Sequence, residues 1–386
     1  MQLRIKTQKI KMFSPKETKI LVTGGAGFIG SFLVDELIKK GYKVRVFDNL
    51  EKQVHNGEKP LYLNKRAEFI KGDVRNRQEV LDVIKNIDIV FHLAAAVGVA
   101  QSNYQIKKYV DVNIGGTANL LDILVNEKHR VKKLITISSM TGFGEGNYKC
   151  KKCGVVRPAI RDEKQLKKGD WNTYCPNCQN AVIPAPTEDD AKEYPSSIYA
   201  ITKKAQQDMA LINASLYNFP TVVLRGFNVY GPRQSLSNPY TGVSAIFISR
   251  LKNNRKAICY EDGAQSRDFI SVHDIVRAFI LAMEKDKANN NVINIGSGKP
   301  TPIKEIARTI AKSLGKEKLV KISGEYRKND VKHCYADISK AKKLLGWTPK
   351  VSLKEGIEEL IEWGEKQEAV DTFASAEKEL KNKGLL

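Results

Sequence analysis

The chain reads KILVTGGAGFIGS from Lys19 to Ser31. Its first residues form a short apolar, β-branched run that is typical of a buried strand. Gly24, Gly27 and Gly30 follow at steps of three, and the residues after them have helical spacing. This order of strand, glycine turn and helix predicts a dinucleotide site. The first glycine permits a tight turn, the second lets a pyrophosphate approach the backbone, and the third lets helix and strand pack closely.

An acidic residue follows the second strand pattern of the chain. Residues 43–47 form this pattern, and Asp48 comes next, 18 residues after Gly30. A carboxylate at this place can accept hydrogen bonds from an adenosine ribose and would repel a 2′-phosphate, so it predicts NAD rather than NADP. Asp73 ends a third strand pattern and is a candidate for the adenine edge of the site.

Composition and charge limit the function classes. The chain has 386 residues, 42% of them hydrophobic, which is enough for a large core in one or two domains. It has no apolar run approaching about 18 residues and no signal-peptide core, so we expect a cytoplasmic protein without a membrane partner. The net charge of +21 could indicate nucleic acid, but the basic residues are spread over helices and tails. We expect a solvated basic surface and no nucleic-acid partner.

Strand and helix patterns alternate from Lys19 onwards. Such alternation predicts an α/β fold with a doubly wound parallel sheet of Rossmann type, covered by helices on both faces. His92 lies within an apolar strand pattern, and we expect it to be a packed residue rather than a catalyst. The predicted strands are 19–23, 43–47, 67–70, 88–92, 133–138, 220–225 and 291–295, and the predicted helices are 30–40, 77–85, 105–127, 196–217, 241–253 and 272–285, with two more between 298 and 366.

The pattern changes after residue 226, which predicts a second, smaller lobe. The crevice between two such lobes is the usual ligand site of an open α/β fold. We therefore expect a substrate domain that is interleaved in sequence with the cofactor domain. The predicted parts are a flexible basic N-terminal extension (1–17), an NAD-binding Rossmann domain (18–226) with an insertion (145–190), a substrate domain (227–366) of which 268–296 returns to the Rossmann domain, and a charged C-terminal helix or tail (367–386).

Tyr199 and Lys203 stand four residues apart in a helical pattern and share one face of it. A lysine ammonium beside a phenol, together with a nicotinamide cation, favours the phenolate, so the pair predicts a general base with a lowered pKa. This spacing is also common by chance on a solvated helix face. Ser138 and Ser139 end a strand pattern at the sheet edge where chemistry occurs in such folds. Ser139 is the candidate for orienting a substrate hydroxyl or carbonyl.

Four of the six cysteines form two pairs. Cys150 and Cys153 are separated by 21 residues from Cys175 and Cys178. Two such pairs supply four thiolates for a tetrahedral structural zinc and leave no ligand position open for catalysis. Four free thiols in a degenerate ribbon are the alternative. The insertion leaves the sheet at the edge that carries Ser139, so we expect it to wall the substrate pocket.

The motifs together resemble one enzyme family. Over roughly residues 18–366 they look like those of the extended short-chain dehydrogenases/reductases, and among these like the nucleotide-sugar 4-epimerases. The resemblance implies catalysis by Tyr199, Lys203 and Ser139 on a nucleotide diphosphate sugar. The implied cofactor residues are, besides Tyr199 and Lys203, Gly24, Gly27, Phe28, Ile29, Gly30, Asp48, Asn49, Asp73, Val74, Leu93, Ala94, Ala95 and Asn113, and the implied substrate residues are Ser138, Thr141, Asn228, Arg267, Arg327 and Asp330.

The resemblance implies inversion at C4 of the sugar. Tyr199 would remove the proton of the 4-hydroxyl, NAD would take the C4 hydride, and the hydride would return to the opposite face of a transient 4-keto sugar. The main rival is a 4,6-dehydratase, whose family pattern places Asp-Glu directly after the active-site hydroxyl. Met140 and Thr141 stand there in this chain and cannot shuttle protons in that way. Reductases and decarboxylases of the superfamily stay open.

Three passages resemble those of a cysteine-containing branch, the dTDP-L-rhamnose 4-epimerases. They are residues 144–150, 171–178 and 234–247. UDP-glucose or UDP-N-acetylglucosamine is the alternative substrate. The resemblance also implies a homodimer, joined through helices 105–127 and 196–217. A noncatalytic nucleotide- or RNA-binding protein, gripping with its zinc ribbon and positive charge, is a remote alternative that the intact catalytic set argues against.

Overall fold

Seven parallel strands form the central sheet of the computed structural model, which describes residues 13–386. In chain order they are β1 (Lys19–Thr23), β2 (Lys43–Asp48), β3 (Glu68–Lys71), β4 (Ile89–His92), β5 (Lys133–Ser139), β6 (Thr221–Gly226) and β7 (Asn291–Ile295). Their order across the sheet is β7-β6-β5-β4-β1-β2-β3, and every neighbouring pair is parallel. The order reverses between β1 and β4, as in a doubly wound Rossmann sheet. The predicted fold class is confirmed.

Ten α-helices of seven or more residues occur in the described part of the chain. In chain order they are α1 (Phe28–Lys39), α2 (Arg77–Val83), α3 (Gly116–Asn126), α4 (Ile198–Tyr217), α5 (Val243–Lys252), α6 (Val272–Glu284), α7 (Ile303–Ser313), α8 (Ser339–Leu345), α9 (Leu353–Glu365) and α10 (Phe373–Asn382). Shorter α-helices cover Lys52–His55, Val99–Ser102, Ile106–Tyr109 and Glu163–Lys167. Within residues 13–386, no helix has the length and apolarity needed to span a membrane.

Helices cover both faces of the sheet. On one face, α1, α6 and α8 pack with the strands into the main core. On the other face, α2 and α3 pack against a second core. The smaller lobe has its own core, built from α5, α7 and α9. The segment 268–296 supplies α6 and β7 to the large sheet. Three pairs or triplets of short strands complete the smaller lobe: Asn228–Tyr230 with Phe269–Ser271, Ala257–Cys259 with Val320–Ile322, and Ser266–Arg267 with Thr301–Pro302 and His333–Cys334.

The helix predicted over 105–127 is present from Ile106 to Asn126, but its hydrogen bonding is not α-helical throughout. The chain there forms the short helix Ile106–Tyr109, then a π-helical stretch, Val110–Gly115, and then α3. Gly116 allows the close approach of this stretch to the loop after β3, because a Cβ on it would lie 2.5 Å from Val74 Cγ2. Side-chain periodicity does not distinguish a π-turn from an α-turn over so short a stretch.

Two segments that the sequence pattern places elsewhere belong to the main core. Residues 1–12 of the predicted extension lie outside the described residues, and Phe13 is buried in the main core. The region 298–366 contains three α-helices rather than two. The additional helix, α8, has seven residues and few apolar ones, so its pattern is too short to be recognised. It packs beside β7 together with the fully buried Trp347.

Candidate active site

A cleft of about 640 Å³ lies between the carboxyl ends of the sheet strands and the smaller lobe. Its wall includes every predicted catalytic and substrate residue, and every predicted cofactor residue except Asn113. These residues lie at or just after the carboxyl ends of strands β1 to β5, on two helices and in the smaller lobe, more than 300 positions apart in the chain. The sequence motifs thus meet in one site.

The glycine turn between β1 and α1 forms the floor of the cofactor half. Gly24 has a φ of +68°, and a Cβ on it would lie 2.7 Å from Ala94 N. A Cβ on Gly30 would lie 2.2 Å from Gly24 O. Gly27 caps α1 without a side-chain hydrogen bond, so the first amides of the helix are free to receive an anion. The turn has the form that a dinucleotide pyrophosphate requires.

Asp48 lies at the end of β2 beside the glycine turn. Its Oδ2 accepts a hydrogen bond from Ala26 N at 3.0 Å, and its Oδ1 accepts one from Leu50 N at 2.9 Å. The two backbone donors fix the carboxylate on the wall of the cleft, where the remaining lone pairs can accept ribose hydroxyls. This arrangement fits NAD.

Asp73 and Asn49 form a second polar group on the cofactor side. Asn49 Nδ2 donates to Asp73 Oδ2 at 3.0 Å, and Arg75 forms a bidentate pair with the same carboxylate. Partial burial alone would raise the pKa of the Asp73 carboxyl, but the hydrogen bonds from Arg75 and Asn49 outweigh it and lower the pKa to about 2. The carboxylate therefore stays charged and can accept hydrogen bonds at any physiological pH.

Asn113 lies behind the cleft rather than on its wall. The side chain is fully buried, and its Oδ1 accepts a hydrogen bond from Ala96 N at 2.8 Å. Its amide donates to Ala96 O at 3.1 Å and to Thr202 Oγ1 at 2.9 Å. Since both ends of the amide are occupied by the protein, Asn113 supports the wall after β4 instead of contacting a cofactor directly.

Tyr199 lies in the first turn of α4, close to the end of β5. Ser197 caps this helix through a hydrogen bond from Ala200 N to its Oγ, and Ser102 Oγ accepts from Tyr199 N at 2.9 Å. Burial raises the pKa of the Tyr199 phenol to about 12, and its hydrogen bond with Ser139 acts in the lowering direction. The protein groups alone therefore raise the pKa of Tyr199, and the lowered pKa that we expected would need the charge of a bound nicotinamide as well.

Lys203 is one turn further along α4 and is also buried. Burial lowers the pKa of its ammonium to about 7, and its Nζ donates a hydrogen bond to Gln206 Oε1. Gln206 Nε2 in turn donates to Thr117 Oγ1 at 3.0 Å. The sequence analysis missed this partner, because a glutamine three residues after a lysine carries no recognisable signal.

His92 is a packed residue. Its Nδ1 is 2.8 Å from Thr23 Oγ1 and its Nε2 is 3.1 Å from Thr117 Oγ1. Burial and the nearby Lys203 lower the pKa of the imidazole to about 3. His92 is therefore neutral and connects strands β1 and β4 to helix α3, which lies behind Lys203.

The substrate half of the cleft carries two arginines that differ in their hydrogen bonding. Arg267 Nη2 donates to Asp330 Oδ1 at 3.1 Å and to Val331 O at 2.6 Å. The Arg327 guanidinium lies over the Tyr260 ring at 4.3 Å from its centroid, and its Nε is buried without a partner among the described residues. Asn228 Oδ1 is likewise buried and unpaired there. Unpaired buried polar atoms on a cleft wall fit the binding of a polar ligand.

The hydroxyl groups at the end of β5 face the same cleft. Thr141 Oγ1 donates to Ser139 Oγ at 3.0 Å, and Thr141 N also points to that oxygen at 3.3 Å. Ser138 Oγ donates to Lys203 O at 3.2 Å, which ties the strand end to α4. Met140 is buried. An ionisable acid does not follow Ser139, which is consistent with the argument against dehydration.

The C-terminal helix, α10, forms part of the cleft wall, which the sequence analysis did not anticipate. Phe373, Ala376 and Leu380 are buried on one face of it and line the cleft. Tyr104 Oη donates to Glu379 Oε2 at 2.9 Å, and Lys381 pairs with Glu325 at 3.4 Å. The helix therefore spans the mouth of the cleft from the Rossmann side to the smaller lobe.

The four paired cysteines form a separate cluster in the insertion. Their sulfur atoms all lie within 4.8 Å of one another, and Cys150 Sγ is 3.5 Å from Cys178 Sγ. A tetrahedron of sulfurs about 2.3 Å from a zinc ion has edges of about 3.8 Å, so the set fits such an ion. The three short antiparallel strands beside them are Gly154–Val156, Asn147–Cys150 and Ile183–Ala185.

The insertion does not wall the cleft, contrary to our expectation. Among the described residues, the cleft wall contains Thr141 and Ser196 but none of the residues between them. The chain after β5 turns away in a 3₁₀ turn, Met140–Phe143, and Gly144 continues this turn with a φ of +68°. The ribbon therefore lies behind the residues of the smaller lobe that line the cleft, and it does not face the cleft itself.

Comparisons with known proteins identify the class. A family model for the NAD dependent epimerase/dehydratase family matches residues 20–159, and one for GDP-mannose 4,6 dehydratase matches residues 181–360. The dTDP-L-rhamnose 4-epimerase of Burkholderia thailandensis is 35% identical over 89% of this chain and 94% of its own length. The chain belongs to the NAD-dependent epimerase/dehydratase family, and it is an enzyme.

Two solved structures are similar along nearly their whole length. The UDP-glucose 4-epimerase of Thermotoga maritima, solved with UDP-glucose, is 33% identical and has a TM-score of 0.73 over 90% of this chain and 99% of its own. The UDP-glucuronic acid 4-epimerase of Bacillus cereus, solved with UDP-glucuronic acid and NAD, is 29% identical with a TM-score of 0.71 and the same coverage. The resemblance found in the sequence is confirmed at the level of the family.

Proposed function

We propose that the protein is an NAD-dependent nucleotide-sugar 4-epimerase. The observation that carries this proposal is the meeting of Tyr199 and Ser139 in one cleft with the glycine turn on one side and the two arginines on the other. The first group can hold a proton at a sugar hydroxyl, and the second fits a dinucleotide. The third offers guanidinium donors for a diphosphate. Arg327 Nε is unpaired among the described residues, and Arg267 keeps its Nε available, since its four protein hydrogen bonds all come from the two Nη atoms.

Each residue set has a defined task in such a reaction. Bound NAD supplies reversible hydride transfer at the sugar carbon. Ser139 orients the sugar 4-hydroxyl and Tyr199 takes its proton. After the ring has turned, so that C4 presents its other face to the cofactor, Tyr199 gives the proton back to the 4-keto oxygen. Arg327 and Arg267 hold the diphosphate, so that the sugar can rotate while the nucleotide stays fixed. Asp48 selects NAD through the ribose hydroxyls.

The sugar we propose is dTDP-L-rhamnose. Support comes from the relative of that name at 35% identity and from the cysteine-containing passages of the sequence. UDP-sugars are the second candidate, since a putative UDP-glucose 4-epimerase of Methanocaldococcus jannaschii is 32% identical over 89% of this chain. Incubation with a panel of dTDP-, UDP- and GDP-sugars, with product configuration at C4 read by NMR, decides between them. Products changed at C6, or no product at all, would contradict 4-epimerisation.

We propose that the cysteine cluster binds one structural zinc ion. The hydrophobic core of the ribbon consists of four buried side chains, and two of them are cysteines of the cluster. Metal binding would therefore supply much of the stability of the ribbon. Purified protein should contain about one zinc per chain by elemental analysis. Cys175→Ser should lose it, whereas Cys259→Ser, at a buried cysteine outside the cluster, should keep it. Full zinc content in Cys175→Ser would refute the site.

We propose that the protein forms a homodimer through the outer face of α4. Ile212, Leu216 and Tyr217 are more than half exposed on this helix, and Ile201, near the start of the same helix, is 46% exposed. Ile106, on the neighbouring short helix, is 49% exposed. Several large apolar side chains exposed on one helix and its neighbour are typical of a subunit interface. A second copy of this chain is the occupant that the symmetric pairing of two such faces would accept.

A further inference from the structure

The base of the ribbon holds a segment of the smaller lobe that lines the cleft. Glu145 is fully buried, and its Oε1 accepts a hydrogen bond from Lys332 N at 2.7 Å. Its Oε2 accepts from His333 N at 3.3 Å and from Tyr148 Oη at 2.7 Å. Gly146 N donates to His333 O at 2.9 Å, and a Cβ on Gly146 would lie 2.9 Å from that oxygen. The contact is therefore close and specific.

A buried ion pair makes a second connection between the ribbon and the smaller lobe. Arg161 donates to both oxygens of Glu261, at 2.6 Å and 3.0 Å, and both side chains are at most 3% exposed. Lys332 Nζ reaches the same carboxylate at 3.2 Å. Arg161 Nη2 also lies 3.4 Å from Asp330 O. A bidentate pair without access to water fixes the geometry of both partners.

The other side of residues 330–332 holds Arg267, one of the predicted substrate residues. Arg267 donates to Asp330 Oδ1, to Val331 O at 2.6 Å and to Lys332 O at 3.1 Å. Arg267 and Asp330 line the cleft, whereas Glu145 and Arg161 do not. Residues 330–332 thus lie between the ribbon and the guanidinium of Arg267, which is on the cleft wall.

We propose that Glu145 and Arg161 are positioning residues for the nucleotide-diphosphate half of the site. They hold residues 330–332 in place, and these residues fix the direction of Arg267 and the carboxylate of Asp330. The inference rests on the proposed function for the identity of the ligand. It gives the inserted ribbon a role in substrate affinity even though the ribbon contacts neither the cofactor half nor the reacting carbon.

The test is a split between KM and kcat in Glu145→Gln and Arg161→Met. Glu145→Gln replaces one acceptor by a donor opposite a backbone N–H, and Arg161→Met leaves Glu261 with only Lys332. We expect KM for the nucleotide sugar to rise about tenfold with kcat within about twofold of wild type, because binding is lost equally in the ground and transition states. Bound NAD and zinc content should match wild type, and Arg161→Lys should restore part of the affinity.

A matched control is Asp170→Asn, which alters a ribbon carboxylate that bonds only within the ribbon. Its KM should stay at the wild-type value. The Kd of dTDP and of UDP, measured by calorimetry, gives a readout that does not need turnover. A rise in Kd in protein that turns over no nucleotide sugar would support the positioning role and reject the proposed reaction. Unchanged Kd and KM in folded Arg161→Met, or an equal loss of NAD, would overturn the inference.

Discussion

At the scale of single residues, burial shifts the pKa of the Tyr199 phenol and that of the Lys203 ammonium in opposite directions. Burial keeps the phenol protonated, with a pKa near 12, and brings the lysine pKa down to about 7. Lys203 donates to Gln206, so the charge that would stabilise a phenolate is turned toward the protein interior. Ser139 is the one group in contact with the phenol that already favours its ionised form.

Tyr199→Phe tests the role of this phenol. The variant should fold and keep its NAD, since the ring and its packing against Tyr109 are retained. Its kcat should fall by about 10²-fold or more, which is the scale of acid–base catalysis. Steady-state kinetics measure the loss.

Tyr42→Phe is the control for this substitution, because Tyr42 is a buried tyrosine of the main core away from the cleft. It should retain nearly full kcat. Turnover of Tyr199→Phe within a few-fold of wild type would remove Tyr199 from the proton transfer.

At the scale of elements, α10 completes the wall of the substrate half. The second family-model match ends at residue 360, and α10 begins at Phe373. Phe373 packs under the Arg250 guanidinium at 4.2 Å from its ring centroid. This helix follows the residues that the family model matches, and it contributes Phe373, Ala376 and Leu380 to the cleft wall.

Leu380→Asp should weaken the binding of the nucleotide sugar. A carboxylate on the buried face of α10 would lose its hydration or push the helix off the cleft. We expect KM to rise about tenfold or more, with NAD content unchanged because the glycine turn is at the other end of the cleft.

Ser375→Asp is the matched control, since Ser375 is exposed on the outer face of the same helix. It should have wild-type kinetics. Equal KM values for Leu380→Asp and wild type would show that α10 does not confine the substrate.

The elements differ in how far the sequence could predict them. Gly24 is required by its positive φ, and both Gly24 and Gly30 by contacts that exclude a Cβ. Their spacing, together with the strand before them and the helix after them, therefore identifies the turn. The contact of α10 with the cleft depends on Tyr104 and Glu379, which are 275 positions apart. The same holds for Glu145 and Lys332. Pairings of this length have no local pattern, so only the folded chain reveals them.

At the scale of the whole molecule, the apolar face of α4 predicts a dimer. Leu216→Glu places a charge in the proposed interface and should shift the mass in solution from two chains toward one. Light scattering over a range of protein concentrations measures the change.

Val155→Glu provides the comparison, because Val155 is similarly exposed on a ribbon strand. It should leave the mass unchanged. A wild-type protein that is monomeric at every concentration would contradict the dimer.

The central claim is that the sugar is oxidised and reduced at C4 within a single closed site. A nucleotide sugar that carries deuterium at C4 tests it most directly, with the product analysed by NMR and mass spectrometry. We expect a product of inverted C4 configuration that retains the deuterium at C4. No hydrogen from the solvent should appear at this carbon. Loss of the label to water, or a product that is dehydrated at C5 and C6, would contradict it.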